Sequence, residues 1–267
     1  MPTTIVNPQR LLEVAELAAR AGGAELLHWQ GKFQTREKGR ADLVTDADLA
    51  SQKAVFDVIS SHFPDHALLG EENPGAVAEL LAQPICWIAD PLDGTTNYVH
   101  NFPGFAVSIG VAVDGRITAG VIYDPVLDEM FSAAVGIGAT CNGVPLRVSG
   151  CEQLGDALIA MSLPARIAGP EAPDIKDFLN LVGVVRAIRR TGSAALNLAY
   201  VAQGKLDGHW ARLISPWDVA AGVLLVELAG GQVTGCDGAA FDLANPNLVT
   251  TSSAALHDQM LEILARS

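Results

Sequence analysis

Cysteine is sparse: Cys86, Cys141, Cys151 and Cys236 are the only four in 267 residues, and no two form a CxxC pair. That spacing argues against a thiolate zinc site and against a compact disulfide framework, and its simple reading is a reducing, cytoplasmic setting. Basic residues are also few. Seventeen Lys and Arg against thirty Asp and Glu give a formal net charge of -13. With no basic run there is no electrostatic footprint for nucleic acid, and net acidity opposes an anionic membrane surface. Long apolar runs are missing too. The opening residues 1–10 have no apolar core of the signal-peptide kind, and the longest apolar stretch, Val219 to Gly231, contains Glu227 and is too short to span a bilayer. Internal repeats and low-complexity linkers are absent. What is present is 49% hydrophobic and 18% charged, a balance that fits a folded globular chain of one large or two modest domains. An acidic chain can still take an anionic substrate, because bound divalent cations reverse the local field.

Helix and strand signals alternate along the chain. Asn7 can cap a helix with Pro8 at its first position, followed by Leu11, Val14, Ala15, Ala18 and Ala19 at helical spacing. A second helix is expected from Thr45 to Phe63, where Pro64 stops it. The run 85–90, ICWIAD, reads as a buried strand ending at a turn, and 105–113 and 117–123 as strands joined at Asp114-Gly115. Residues 129–135 and the Asn142-Gly143 turn continue an antiparallel sheet. After Gly150, strands at 157–162 and 184–189 and helices at 192–203, 216–229 and 254–266 are expected. The expected fold class is α/β, a layered α+β sandwich, with a loose division into 1–150 and 151–267.

The densest chemical signal is residues 87–97, WIADPLDGTTN. Asp90 and Asp93, separated only by Pro91 and Leu92, repel each other unless a cation sits between them. Magnesium does this with hard oxygen ligands, using few carboxylates plus water and substrate phosphate. Free amides after Gly94 suit a phosphate at a helix start. Asp-Pro and Asp-Gly alone are ordinary turn formers; the full octet DPLDGTTN is harder to dismiss.

This octet resembles the inositol monophosphatase family, and further segments agree in order. GEE (70–72), DLVTDAD (42–48), GSAALN (192–197) and PWDVAAG (216–222) resemble family segments that supply a metal-binding glutamate, a supporting aspartate, a substrate contact and a metal-binding aspartate. Ser215–Asp218 and Thr45–Asp48 each also read as helix capping boxes, but independent caps would have no reason to fall in family order.

The resemblance implies a layered fold like that of inositol monophosphatase and hydrolysis of a small phosphate monoester, with two or three Mg2+ ions per site. Glu71, Asp90 and the carbonyl of Leu92 would hold a first ion. Asp90, Asp93 and Asp218 would hold a second, with a spacing of about 4 Å that stabilises attacking and leaving oxygens. Glu71 and Thr95 would orient and deprotonate water, with Asp48 holding the Thr95 hydroxyl. Asp93, Gly94, Thr95, Thr96, Gly192, Ser193, Ala194 and Arg212 would contact substrate. Lys38 matches a family lysine near the metals, or is an exposed loop charge. Lithium sensitivity and a homodimer are implied by the family, with a small-molecule substrate and neither nucleic acid nor membrane as direct partner.

Inositol monophosphate is the leading substrate. Where inositol-specific relatives carry a glutamate six residues before the WD tryptophan, this chain has Ala211 followed by Arg212. A site lacking a designed hydrogen-bond partner discriminates poorly, so histidinol phosphate, fructose 1,6-bisphosphate and a nucleotide 3'-phosphate stay open, with Arg212 able to meet a second anionic group. A haloacid-dehalogenase-type DxDGT signature fails because Pro91 stands two before Asp93. CNGVPLR (141–147) has Cys-x5-Arg spacing, but Pro145 removes an amide and the segment reads as a hairpin. A regulatory protein associated with the transcription machinery is the alternative from another class. The six histidines are scattered and read as surface or satisfied core residues.

Overall fold

A computed structural model describes residues 6–39, 42–163, 169 and 171–266, without the side chains of residues 37–39, 42 and 43. The Lys38 side chain therefore lies outside the described residues. Helix α1 (Pro8–Trp29) starts where Asn7 accepts from Gln9 N–H, with Pro8 at the first position. A short hairpin, β1 (Thr35–Gly39) and β2 (Asp42–Thr45), leads into α2 (Asp46–His62). Thr45 caps α2 through a capping box with Asp48.

A seven-stranded sheet follows, from β3 (Ala67–Gly70), β4 (Ile85–Asp93), β5 (Ala106–Val113), β6 (Arg116–Asp124), β7 (Glu129–Ala134), β8 (Gly138–Cys141) and β9 (Val144–Pro145), paired in that order. It is antiparallel except for the β3–β4 pair. Its β5–β6 and β8–β9 turns use Asp114-Gly115 and Asn142-Gly143, all four at positive φ, as tight hairpins require. Cys141 therefore sits in a hairpin, and burial pushes its thiol up, the opposite of a nucleophilic thiolate. Short helices α3 (Val77–Leu81) and α4 (Thr95–Val99) flank β4.

The second sheet collects β10 (Leu158–Met161), β11 (Ala187–Arg189), β12 (Gly208–Ala211), β13 (Gln232–Thr234) and β14 (Leu248–Thr251) in the order β11-β10-β12-β14-β13. Between its strands run α5 (Pro173–Val182), α6 (Ala194–Ala202) and α7 (Pro216–Leu228), and α8 (Ala254–Leu264) follows.

Alternation along the strands of the first sheet buries both faces. Trp87, Ala89, Val107, Ile109 and Val121 pack under α1 and α2, while Ala106, Ile122 and Phe131 meet α6 and α7. Helices α6 and α7 lie between the two sheets, and α5 and α8 cover the outer face of the second. The result is five layers, α/β/α/β/α, in agreement with the layered α/β expectation. Among the described residues no helix is long and apolar enough to cross a membrane.

Candidate metal centre and substrate cleft

Asp90 and Asp93 share one strand yet lie three positions apart, an odd spacing that puts side chains on opposite faces of a regular strand. The register against β5 resolves this: Asp90 pairs with Ser108, Asp93 with Ala106, and the pairing shifts between them. Three steps on β4 oppose two on β5, which is a β-bulge, and it returns both carboxylates to the face toward α7. Pro91, with no N–H for the ladder, sits inside the irregular stretch. Ser51 Oγ donates to Pro91 O at 2.8 Å, and Leu92 N–H donates to Asp90 Oδ1 at 2.9 Å. The strand therefore ends at Asp93 rather than at Asp90 as the sequence suggested, because the bulge absorbs the Asp-Pro turn signal.

Asp218 arrives from the first turn of α7. Its Oδ2 accepts from Ser215 N–H at 3.0 Å within a capping box. The cap and the ligand role are compatible, since capping one oxygen fixes the direction of the other. One oxygen each from Asp90, Asp93 and Asp218 lie within 4.8 Å of one another. The approach of α7 depends on Gly110 and Gly120, which face each other across β5 and β6. A Cβ added at Gly110 would lie 2.6 Å from Ala220 Cβ, and one at Gly120 2.8 Å from Ala221 Cα.

Neutral groups donate to Asp93 and to Asp48. Ser193 Oγ–H and Ala195 N–H donate to Asp93 Oδ2 at 2.5 and 2.6 Å. Asp48, buried, accepts from Thr45 N–H and Oγ1–H on Oδ2 at 2.8 and 2.6 Å. Its Oδ1 lies 3.4 Å from Thr95 Oγ1, which is also 3.1 Å from Leu92 O. Gly94, at φ 100°, turns the chain from β4 into α4; a Cβ there would come within 2.9 Å of Gly104 O.

Burial is the first cause of raised carboxyl pKa values here, and mutual repulsion adds to it. Asp90 is raised well above its ordinary value by burial and then by the charges of Glu71, Asp93 and Asp218. Asp218 is pushed up to about 8 by burial and then by Asp93. Asp93 is pushed up to about 6 by burial, against the bonds from Ser193 and Ala195, with Glu71 adding repulsion. Glu71 follows β3, where its N–H donates to Ala89 O at 3.2 Å, and its charge acts on all three aspartates. Among the described residues no Lys or Arg forms an ion pair with Asp90, Asp93 or Asp218, and carboxylates so crowded and desolvated call for a counter-charge. An all-oxygen donor set of this kind suits a hard divalent cation.

A cleft of about 1170 Å3 opens beside these groups, lined among others by Asp93, Thr96, Gly192, Ala194, Arg212 and Asp218. Two expected substrate contacts are placed differently. Ser193 is 1% exposed and is not part of the lining; its hydroxyl is committed to Asp93 and to the cap of α6. Arg212 borders the cleft, but its guanidinium forks onto the fully buried Asp177, at 2.5 Å from Nε and 2.9 Å from Nη2, and also donates to Leu264 O. Its charge is neutralised within the fold, which corrects the expectation of a cation free for a second anionic group. Ala211 is buried and brings no polar atom to the cleft.

One bracing residue escaped the sequence reading. Asn97 Nδ2 donates to Gly104 O at 2.7 Å and to Thr191 O at 2.9 Å, tying α4 to the segment that carries Ser193. Gly192, at φ 92°, packs so closely on Asn97 that a Cβ would lie 2.8 Å from its Oδ1. The signal for Asn97 was its position as last residue of the octet. His209 also departs from expectation, as a core histidine whose Nδ1 has no hydrogen-bond partner among the described residues.

Comparison with known proteins agrees with this geometry. A sequence profile of the inositol monophosphatase family matches residues 7–267. An inositol-1-monophosphatase of Synechocystis sp. is 40% identical over 259 residues, 96% of this chain and 89% of that protein. The Nus factor SuhB of Escherichia coli K12 is 36% identical over 266 residues, 96% of this chain and 99% of that protein. The solved structure of an inositol monophosphatase from Anabaena (Nostoc) sp. PCC 7120 superposes with a TM-score of 0.86 at 39% identity, covering 98% of this chain and 97% of that one. With its acidic centre, its layers and these relatives in agreement, the chain belongs to the inositol monophosphatase family and is a phosphoric monoester hydrolase.

Proposed function

We propose that this enzyme hydrolyses a small phosphate monoester, with inositol monophosphate as leading substrate and Mg2+ as its metal. The observation that carries the reading is the set of three carboxylates within 4.8 Å, two of them nearly inaccessible to solvent. Asp90, Asp93 and Asp218, with Glu71 and the Leu92 carbonyl, would hold the metal. When bound, Mg2+ supplies Lewis-acid activation of water and charge neutralisation at the leaving oxygen.

The chain's own groups do the rest. Thr95 Oγ1, between Leu92 O and Asp48 Oδ1, is positioned as a hydroxyl relay, and Glu71 is the carboxylate that takes the proton of the attacking water. Asp48 acts through Thr95 as a positioning residue. The first amides of α4, at Thr95 and Thr96, have no acceptor inside the helix, and with Gly94 they face phosphate oxygens in this reading. Gly192 and Ala194 shape the wall of the cleft where the alcohol portion lies.

The test is phosphate release from inositol 1-phosphate, histidinol phosphate, fructose 1,6-bisphosphate and adenosine 3',5'-bisphosphate, with and without Mg2+. Mg2+-dependent release supports the reaction class and ranks the substrates; no release from any of them overturns it. A homodimer, lithium inhibition and a cytoplasmic location belong to the same reading. A second reading rests on the 36% identity to the Nus factor SuhB of Escherichia coli: a role beside transcription, which recovery of RNA polymerase with the tagged protein would support.

A further inference from the structure

Ser162 follows β10 at the wall of the cleft. Its backbone is fixed, because its N–H donates to Trp210 O at 3.0 Å. Among the described residues its hydroxyl has one partner, His209 Nε2, at 3.0 Å. His209 stands on β12 with no solvent exposure, and burial pushes its pKa down to about 3, so the ring is neutral near pH 7.

A neutral imidazole carries one N–H and one bare nitrogen. If Nδ1 carried the proton, a buried N–H would be left with no acceptor, since Nδ1 has no partner among the described residues. Orphaned buried donors are rarer and costlier than under-used acceptors. The proton therefore belongs on Nε2, which donates to Ser162 Oγ. Among the described residues the serine hydroxyl hydrogen is then left without a protein acceptor, on a residue that borders the cleft.

We propose that Ser162 is a specificity-determining residue, donating its hydroxyl hydrogen to an oxygen on the alcohol portion of the substrate, with His209 as the positioning residue behind it. The proposal rests on the phosphate-monoester reading above and adds to it a residue that reads a hydroxyl of the alcohol portion. Asp93 and Asp218 border the same cleft and take the phosphate end, which leaves the alcohol portion to the wall that Ser162 occupies.

The experiment measures kcat and KM with Mg2+ on inositol 1-phosphate and on phenyl phosphate, whose alcohol portion has no further hydroxyl. Ser162→Ala is expected to raise KM for inositol 1-phosphate roughly three- to tenfold, the loss of one net hydrogen bond, with kcat retained and both constants for phenyl phosphate unchanged. Ser162→Thr, which keeps the hydroxyl, should keep the selectivity. An unchanged ratio between the two esters, or an equal change on both, overturns the inference while leaving the reaction class standing. Failure of the unsubstituted protein to release phosphate from either ester overturns both. The 15N shifts of His209 give a readout free of turnover: a protonated Nε2 and bare Nδ1 are expected, and a protonated Nδ1 overturns the arrangement.

Discussion

Gly110 and Gly120 stand directly opposite each other on β5 and β6, and α7 lies across the pair. At this crossing the helix that carries Asp218 is thus seated on backbone rather than on side chains. Gly120→Ala would force its methyl group against Ala221. We expect a loss of about 1–3 kcal/mol, typical of overpacking, read by urea unfolding. The control is Gly155→Ala, where a Cβ meets nothing within 4 Å, with an expected change inside about 0.5 kcal/mol.

Asp218→Asn should nearly abolish turnover while the far-ultraviolet spectrum stays that of the parent. In chelator the variant should melt no lower than the parent, because one member of a repelling cluster is gone. Mg2+ is expected to raise the Tm of the parent, and in the variant that rise should shrink or vanish. Full activity in this variant would remove Asp218 from the metal set.

The Thr95 hydroxyl is the part of the relay most open to a clean test. Thr95→Val should lower kcat by about two orders of magnitude, within the range of general acid–base contributions, with KM little changed. Thr95→Ser should recover most of it. Steady-state kinetics decide, and equal losses in both variants would point to packing instead.

Arg212→Met leaves Asp177 buried and unpaired, at a cost of about 3 kcal/mol. The double variant Arg212→Met with Asp177→Leu should regain much of that. If stability were unaffected while the KM for a bisphosphate rose, Arg212 would be reading substrate after all.

Acid should act through His209. Its pKa is lowered to about 3 by burial, while the unfolded ring titrates near its ordinary value of 6.5. Between those values the unfolded state binds the extra proton, so this group's contribution to stability is full above pH 6.5 and is lost as pH falls. The slope approaches about 1.4 kcal/mol per pH unit. The buried aspartates have raised values and act in the opposite sense over part of this window. The difference between the parent and His209→Gln in Tm against pH isolates the histidine.

The layered fold was legible because its signals are local. Asn7-Pro8, the two capping boxes and the two Asx-Gly turns each announce an element boundary through side-chain or backbone chemistry within four residues. The acidic centre was legible as a set of residue types but not as a geometry. Nothing in ADPLD states that a bulge reverses the facing of Asp93, since that depends on its pairing with Ala106 of β5, 13 residues later. The partners of Ser193 and Arg212 were out of reach for the same reason. Their partners, Asp93 and Asp177, are 100 and 35 positions away, and the competition for a hydroxyl or a guanidinium is settled only in three dimensions.

The seat of α7 on the first sheet also bears on synthesis. Asp90 and Asp93 leave the ribosome well over a hundred residues before Asp218, and the face of the sheet that waits for α7 is apolar and glycine-notched. A nascent chain stopped after β9 would hold two of the three clustered aspartates and an uncovered sheet. Ion capture is therefore a late event, and it rewards only chains whose two sheets have already closed on the helix between them.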